Sequence, residues 1–241
     1  DIAPCRRYRK GIEASDSALL IRNGWLDAAT ADFGLSMLNS FRRPMIMIIG
    51  SHDHRGEVNP AHLGGDYHTP VPLQPVGGRI VGDWQWTFPD VTKVPDPFTR
   101  DLFLTGGFEN VQTRFIEKVL EEGAAGPQES TLFYYTINDG WKVGNAWPPA
   151  GFESKRHYFE RGGKLSFVKP TEQKETDAYN VDFTVSSSPF PRWNQLTNVD
   201  YRMDRAPLAN KMLTYTSLPL DHDTEITGNP VINLEVASTA T

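Results

Sequence analysis

The hydrophobic pattern opens with two short apolar runs that are continuous rather than alternating. Ala18-Leu19-Leu20-Ile21 breaks into the turn Arg22-Asn23-Gly24-Trp25-Leu26-Asp27. Met45-Ile46-Met47-Ile48-Ile49 breaks into Gly50-Ser51-His52-Asp53-His54-Arg55-Gly56. Unbroken runs of this length, bounded by Gly or Pro, describe strands buried on both faces of a parallel sheet. Between them Phe33, Met37, Leu38 and Phe41 recur at helical spacing and predict one amphipathic helix. Strand, helix and strand within about thirty residues make a βαβ unit with a right-handed crossover.

The rest of the chain changes character twice. Residues 1–16 form a basic, turn-rich lead-in with Arg6, Arg7, Arg9 and Lys10. After Gly56, residues 57–100 are rich in Pro and Gly and read as a long irregular region, which a compact domain places beside a site. Phe108, Val111, Phe115, Ile116, Val119 and Leu120 then predict a helix packed on the sheet, stopped by Gly123. Ala124-Ala125-Gly126-Pro127 reads as a connector, so the first domain is expected over 17–123. Beyond it, strands are expected over residues 131–137, 156–160, 163–168, 181–185, 212–217 and 231–237. Turn residues separate them and no helix is evident. Such a series predicts a β-sandwich over 124–241.

Composition narrows the function classes. The 241 residues carry a formal net charge of −6 and a pI near 5.5, with no basic face, which argues against a nucleic-acid partner. No apolar run approaches the roughly 18 residues needed to span a membrane. The single cysteine, Cys5, rules out an internal disulfide and leaves the compartment open between bacterial cytoplasm, periplasm and secretion. Self-association as a homo-oligomer is equally open.

The chemistry is expected where the strands end, because reactive groups in open α/β sheets gather beyond the carboxyl ends of the strands. Asp27 follows the first strand and His54 follows the second. A carboxylate that accepts from one imidazole nitrogen leaves the other free to take a proton from a nucleophile. The order nucleophile, acid, His of α/β-hydrolases fits Asp27 and His54 as the last two members. Trp25, Leu26 and His52 adjoin the pair and are weaker candidates for substrate contact. None of the serines lies in a Gly-x-Ser-x-Gly elbow; the nearest, Ser36, falls inside the predicted helix. The nucleophile and the oxyanion hole are therefore expected in an N-terminal part of the protein outside these residues.

Several landmarks resemble one family. Gly24-Trp25-Leu26-Asp27 is similar to the Gly-Trp-aromatic-Asp turn of the cocaine esterase and X-prolyl dipeptidyl peptidase hydrolases. Gly50-Ser51-His52-Asp53-His54 falls where that family has Gly-Pro-Trp-Ser-His. Trp141 to Pro149 resembles the Trp…Trp-Pro-Pro segment that opens its C-terminal β domain. Leu213 to Leu220 with Glu225-Ile226-Thr227-Gly228 resembles that domain's YTS-x-PL…VTG signature. Leu26 stands in for the usual aromatic, and Ser51-His52-Asp53 for Pro-Trp-Ser.

The resemblance implies the C-terminal part of an α/β-hydrolase sheet followed by a jelly-roll β-sandwich, with residues 1–16 as the tail of a lid segment. With six strands against the eight or so of a jelly roll, the sandwich is expected to be incomplete. The resemblance also selects His54 over His52 as the base. The implied activity is a serine hydrolase of small-molecule esters, amides or peptides that needs no cofactor and no metal. Two other classes compete. His52-Asp53-His54 is an H-x-H pair that a metal-dependent hydrolase could use, although a third ligand is not apparent. Alternatively the chain is a non-catalytic binding module whose sandwich presents aromatic side chains.

Overall fold

A computed structural model describes residues 4–15, 17–25, 27, 30–50, 74–76, 79–81, 90–105, 111–121, 126–136, 139–171, 176–185 and 206–239. The centre is a four-stranded mixed sheet in the order β1-β2-β5-β6. Its strands are β1 (Leu19–Gly24), β2 (Met45–Gly50), β5 (Thr131–Thr136) and β6 (Gly140–Gly144). β1, β2 and β5 run parallel, while β6 returns antiparallel to β5. Two short antiparallel hairpins lie outside this sheet: β3 (Gln74–Val76) with β4 (Arg79–Val81), and β7 (Tyr158–Glu160) with β8 (Lys164–Ser166).

The second apolar run means what its pattern implies, whereas β1 ends the strand order among the described residues and is mostly only partly buried, because it has a strand on one side alone. All six residues of β2 are buried, because each of its faces meets a separate core. Met45, Met47 and Ile49 face one cluster with Leu132, Tyr134, Trp147 and helix α2 (Thr30–Ser40). Ile46 and Ile48 face the other, with Phe133, helix α3 (Pro97–Leu104) and helix α4 (Val111–Glu121). The alternation follows from the two-residue period of a strand. A helix α1 (Pro4–Ala14) precedes the sheet, so the lead-in is helical rather than turn-rich.

The predicted helix between the first two strands is present, but rotated from expectation. Ala31, Gly34, Leu35, Met37 and Leu38 are its buried residues, whereas Phe33 is 42% exposed. Gly34 sets this rotation. A Cβ there would stand 2.4 Å from Asn23 Oδ1 and 3.3 Å from Met47 Cε, so the helix backbone presses directly on the sheet. With Gly34 turned inward, Phe33 is carried outward. In α4, Val111 and Phe115 are buried but Ile116 and Leu120 are exposed, so only part of the expected stripe faces the core.

Two further expectations need correction. Residues 90–100, read as part of an irregular region, contain a helical turn at Val91–Lys93 and the first half of α3, which runs on to Leu104. Asp96 caps α3, accepting from Thr99 N at 2.8 Å and Thr99 Oγ1 at 2.6 Å, and Pro97 occupies the first turn. Asp followed by Pro is an N-terminal helix signal, and the Pro/Gly content of the surrounding stretch masked it. The run at 131–136, read as the first strand of the sandwich, instead pairs with β2 as the third parallel strand. Its residues Thr131 to Tyr135 are all buried, the two-faced burial that distinguishes a central strand from a sandwich strand.

Of the remaining expected strands, those at 156–160 and 163–168 appear as β7 and β8. Residues 212–217 contribute one bridge, Thr216 to Lys164, with Thr216 N donating to Gly163 O at 2.8 Å. Gly163 has φ +72°, and a Cβ there would meet Thr214 O at 2.8 Å, so this crossing requires glycine. Residues 181–185 form a turn in which Asp182 accepts from Thr184 N and Oγ1. Residues 231–237 form no ladder with any described residue.

Candidate functional site

The register brings three strand ends level. Gly24 of β1 stands beside Gly50 of β2, and Ile49 beside Tyr134 of β5. The turns after these strands therefore share one edge of the sheet, where ligand sites of open parallel sheets form. Trp25 ties that edge together. Its backbone N–H donates to Gly50 O at 2.9 Å, and its indole Nε1–H donates to Tyr135 O at 2.8 Å. Its ring lies 5.4 Å from that of Trp147, which in turn meets Tyr134 edge-on at 5.8 Å. Trp25 is thus engaged at three points by the fold.

Asp27 follows two residues later on a tight turn. Its N–H donates back to Gly24 O at 3.2 Å, and its carbonyl accepts from Thr30 N at 2.7 Å. The Thr30 hydroxyl donates to Asp27 Oδ2 at 3.2 Å. The carboxylate is partly exposed and held at the start of α2, at the carboxyl edge of the sheet. Leu26, His52 and His54 lie outside the described residues, and so does the expected contact between Asp27 and His54. Within the described residues, Gly50 ends β2 at Trp25, four positions before His54. No cluster of three or more His, Cys, Asp or Glu side chains converges as a metal site among the described residues.

A polar group absent from the sequence reading occupies the same edge. Asp139 N–H donates to Thr136 O at 3.0 Å ahead of β6, and Gly140, the first residue of β6, has φ +115°. Lys142 on β6 forms ion pairs with Asp139 at 2.5 Å and with Glu225. Glu225 also accepts from Thr227 Oγ1 at 2.6 Å and Thr136 Oγ1 at 3.5 Å. Partial burial pulls the Lys142 ammonium down, but the hydrogen bonds to Asp139 and Glu225 together outweigh it and raise its pKa. Burial pushes the Glu225 carboxyl up, and the Lys142 and Thr227 hydrogen bonds override it, leaving Glu225 below the usual glutamate value. Glu225 stood in the Glu-Ile-Thr-Gly signature, but nothing in that motif names a partner 83 residues away.

Trp147 is buried, at 7% exposure. Its indole N–H donates to Asn229 Oδ1 at 2.8 Å, and its carbonyl accepts from Asn39 Nδ2 at 2.9 Å. Trp147 thereby joins α2, the sheet and the C-terminal segment. Trp141 is partly buried, stacked edge-on against Tyr135 at 5.5 Å.

Residues 123–241 match the X-Pro dipeptidyl-peptidase C-terminal non-catalytic domain. The chain is 27% identical over 238 residues to proteins of Mycobacterium bovis and Mycobacterium tuberculosis that are named as candidate serine esterases, covering 97% of this chain. It spans about a third, 32%, of the length of those relatives. No solved structure matches it significantly. No helix among the described residues is long and apolar enough to cross a membrane. Residues 123–241 are therefore similar to the X-Pro dipeptidyl-peptidase C-terminal domain family, and the chain as a whole is consistent with the C-terminal part of a cocaine esterase/X-prolyl dipeptidyl peptidase-like protein.

Proposed function

We propose that this chain supplies the acid and the base of a serine hydrolase acting on esters or amides. The observation that supports the reading is the in-register parallel pairing of β1 and β2, which ends both strands at one edge, Gly24 just before the Asp27 turn and Gly50 four positions ahead of His54 in the sequence. His54 takes the proton of a serine hydroxyl as that oxygen attacks the acyl carbon, then returns it to the leaving group. Asp27 holds the imidazole in the required tautomer and steadies the imidazolium. The serine and its oxyanion donors come from an N-terminal part of the same protein outside residues 1–241. Residues 1–16 are then the tail of a lid, residues 17–123 together with β5 and β6 the end of an α/β-hydrolase domain, and the residues beyond β6 a jelly-roll domain. That every proposed catalytic residue precedes residue 123 agrees with the non-catalytic description of the matched family.

The test is ester hydrolysis by the full-length gene product. Asp27→Asn and His54→Ala are expected to lower kcat by roughly 10³-fold or more. A serine-directed fluorophosphonate should label a residue outside this chain. Activity that resists the fluorophosphonate but disappears with a chelator would replace the serine mechanism by the metal-dependent one through His52 and His54.

A further inference from the structure

Trp147 lies between the C-terminal segment and the turn that carries Asp27. On one side its buried indole N–H is satisfied by Asn229 Oδ1 at 2.8 Å. On the other, its ring packs 5.4 Å from Trp25. Trp25 is bonded to the ends of both β2 and β5, and Asp27 is two residues further on, hydrogen-bonded back to Gly24. The segment bearing Asn229 is itself anchored on the sheet edge through Glu225, Lys142 and Thr136, and Gly228 rests against Pro148.

We infer that Trp147, held by Asn229, is a positioning residue for Asp27: the Glu225–Asn229 segment clamps the Trp147–Trp25 pair and so sets the turn that aims the carboxylate. This rests on the reading of Asp27 as the triad acid. A buried indole N–H must find an acceptor. Removing the Asn229 side chain takes away the acceptor that fixes the Trp147 ring, which is then free to turn, and Trp25 follows because the two rings share a close-packed contact. Displacement of a catalytic group by about 1 Å costs on the order of 10²-fold in rate. The domain matched as non-catalytic thereby contributes to catalysis through packing, without touching substrate.

The experiment uses the full-length protein and follows kcat, KM and the pH profile of ester hydrolysis, with Asp27→Asn as reference. Asn229→Ala and Trp147→Phe are expected to lower kcat about tenfold while KM stays within about twofold. The acid limb of kcat/KM should move to lower pH, because a displaced carboxylate steadies the imidazolium less. Asn229→Asp keeps the acceptor oxygen and should restore most of the rate. Unchanged kcat and an unmoved acid limb in both Asn229→Ala and Trp147→Phe, with Asp27→Asn inactive, overturn this inference alone. An Asp27→Asn protein with full activity overturns the triad reading beneath it. If Trp147→Phe does not fold, Asn229→Ala decides, since Asn229 is exposed. A lower Tm with kcat and acid limb intact makes the contact structural only and also overturns the proposal.

Discussion

The parallel strands and the C-terminal stretch are built from the same residue types and meet opposite fates. Ile46, Met47 and Ile49 of β2 have no exposed surface, whereas Val231, Ile232, Leu234 and Val236 are 65–82% exposed. β2 has a strand on either side and a helical layer over each face. Residues 231–238 have no strand partner among the described residues. Apolar composition selects residues able to be buried, and neighbouring elements decide whether they are. Complete burial of one such side chain contributes about 1.5–3 kcal/mol, so the contrast carries much of the fold's stability.

The sharpest way to break this comparison is to truncate the centre of the sheet. Phe133 is fully buried, with its ring 4.5 Å from Phe103. Phe133→Ala should cost about 3–5 kcal/mol in denaturant unfolding, and a cost under about 1 kcal/mol would deny the two-sided core. Asp96 comes next. Besides capping α3, its Oδ1 accepts from Gln128 N at 2.9 Å and Glu129 N at 3.4 Å, just before β5. Asp96→Ala strands the buried Thr99 donors and removes the acceptor of the part-buried Gln128 and Glu129 N–H groups, and should cost about 2 kcal/mol, with Asp96→Asn recovering part of it.

The third effect is smaller and depends on pH. Asp139, Lys142, Glu225 and Tyr134 are the titratable groups that interact at the clasp. Glu225 has a lowered folded pKa, so its contribution is present above the ordinary value of 4.5 and is lost as pH falls through the folded one. Lys142 has a raised pKa, so its contribution is complete below 10.5 and is lost as pH rises through the folded value. The Tm difference between wild type and Glu225→Gln should be level between those limits and shrink beyond each. A difference that grows on acidification would contradict the pairing. The smallest effect sharpens the exposed side of the comparison: Val236, at 82% exposure, should tolerate Val236→Thr within about 0.5 kcal/mol.

Much of the architecture was legible where the pattern is local. Two continuous apolar runs flanking a helical period identified β1, α2 and β2. The hairpin β7–β8 was legible for the same reason, since its strands lie close in sequence and Gly162 and Gly163 mark the turn. Helix α3 was hidden because its capping signal is two residues long inside a Pro-rich stretch. The outward turn of Phe33 was hidden because a close approach at Gly34 has no signature in helical periodicity.

By itself, then, the sequence determined β1, α2 and β2, the turns that end them, and the positions of Asp27 and His54 after the first two strands. These follow from periodicity and turn chemistry, which act over a few residues. Only the tertiary structure decided that residues 131–136 join β2 rather than a separate sandwich, because a fully apolar strand fits either setting until its neighbours are known. Only the tertiary structure, too, brought Trp147 between Trp25 and Asn229 and closed Lys142 on Glu225. Those contacts span roughly 80 to 120 residues, a separation at which no sequence period survives and only packing selects the partner.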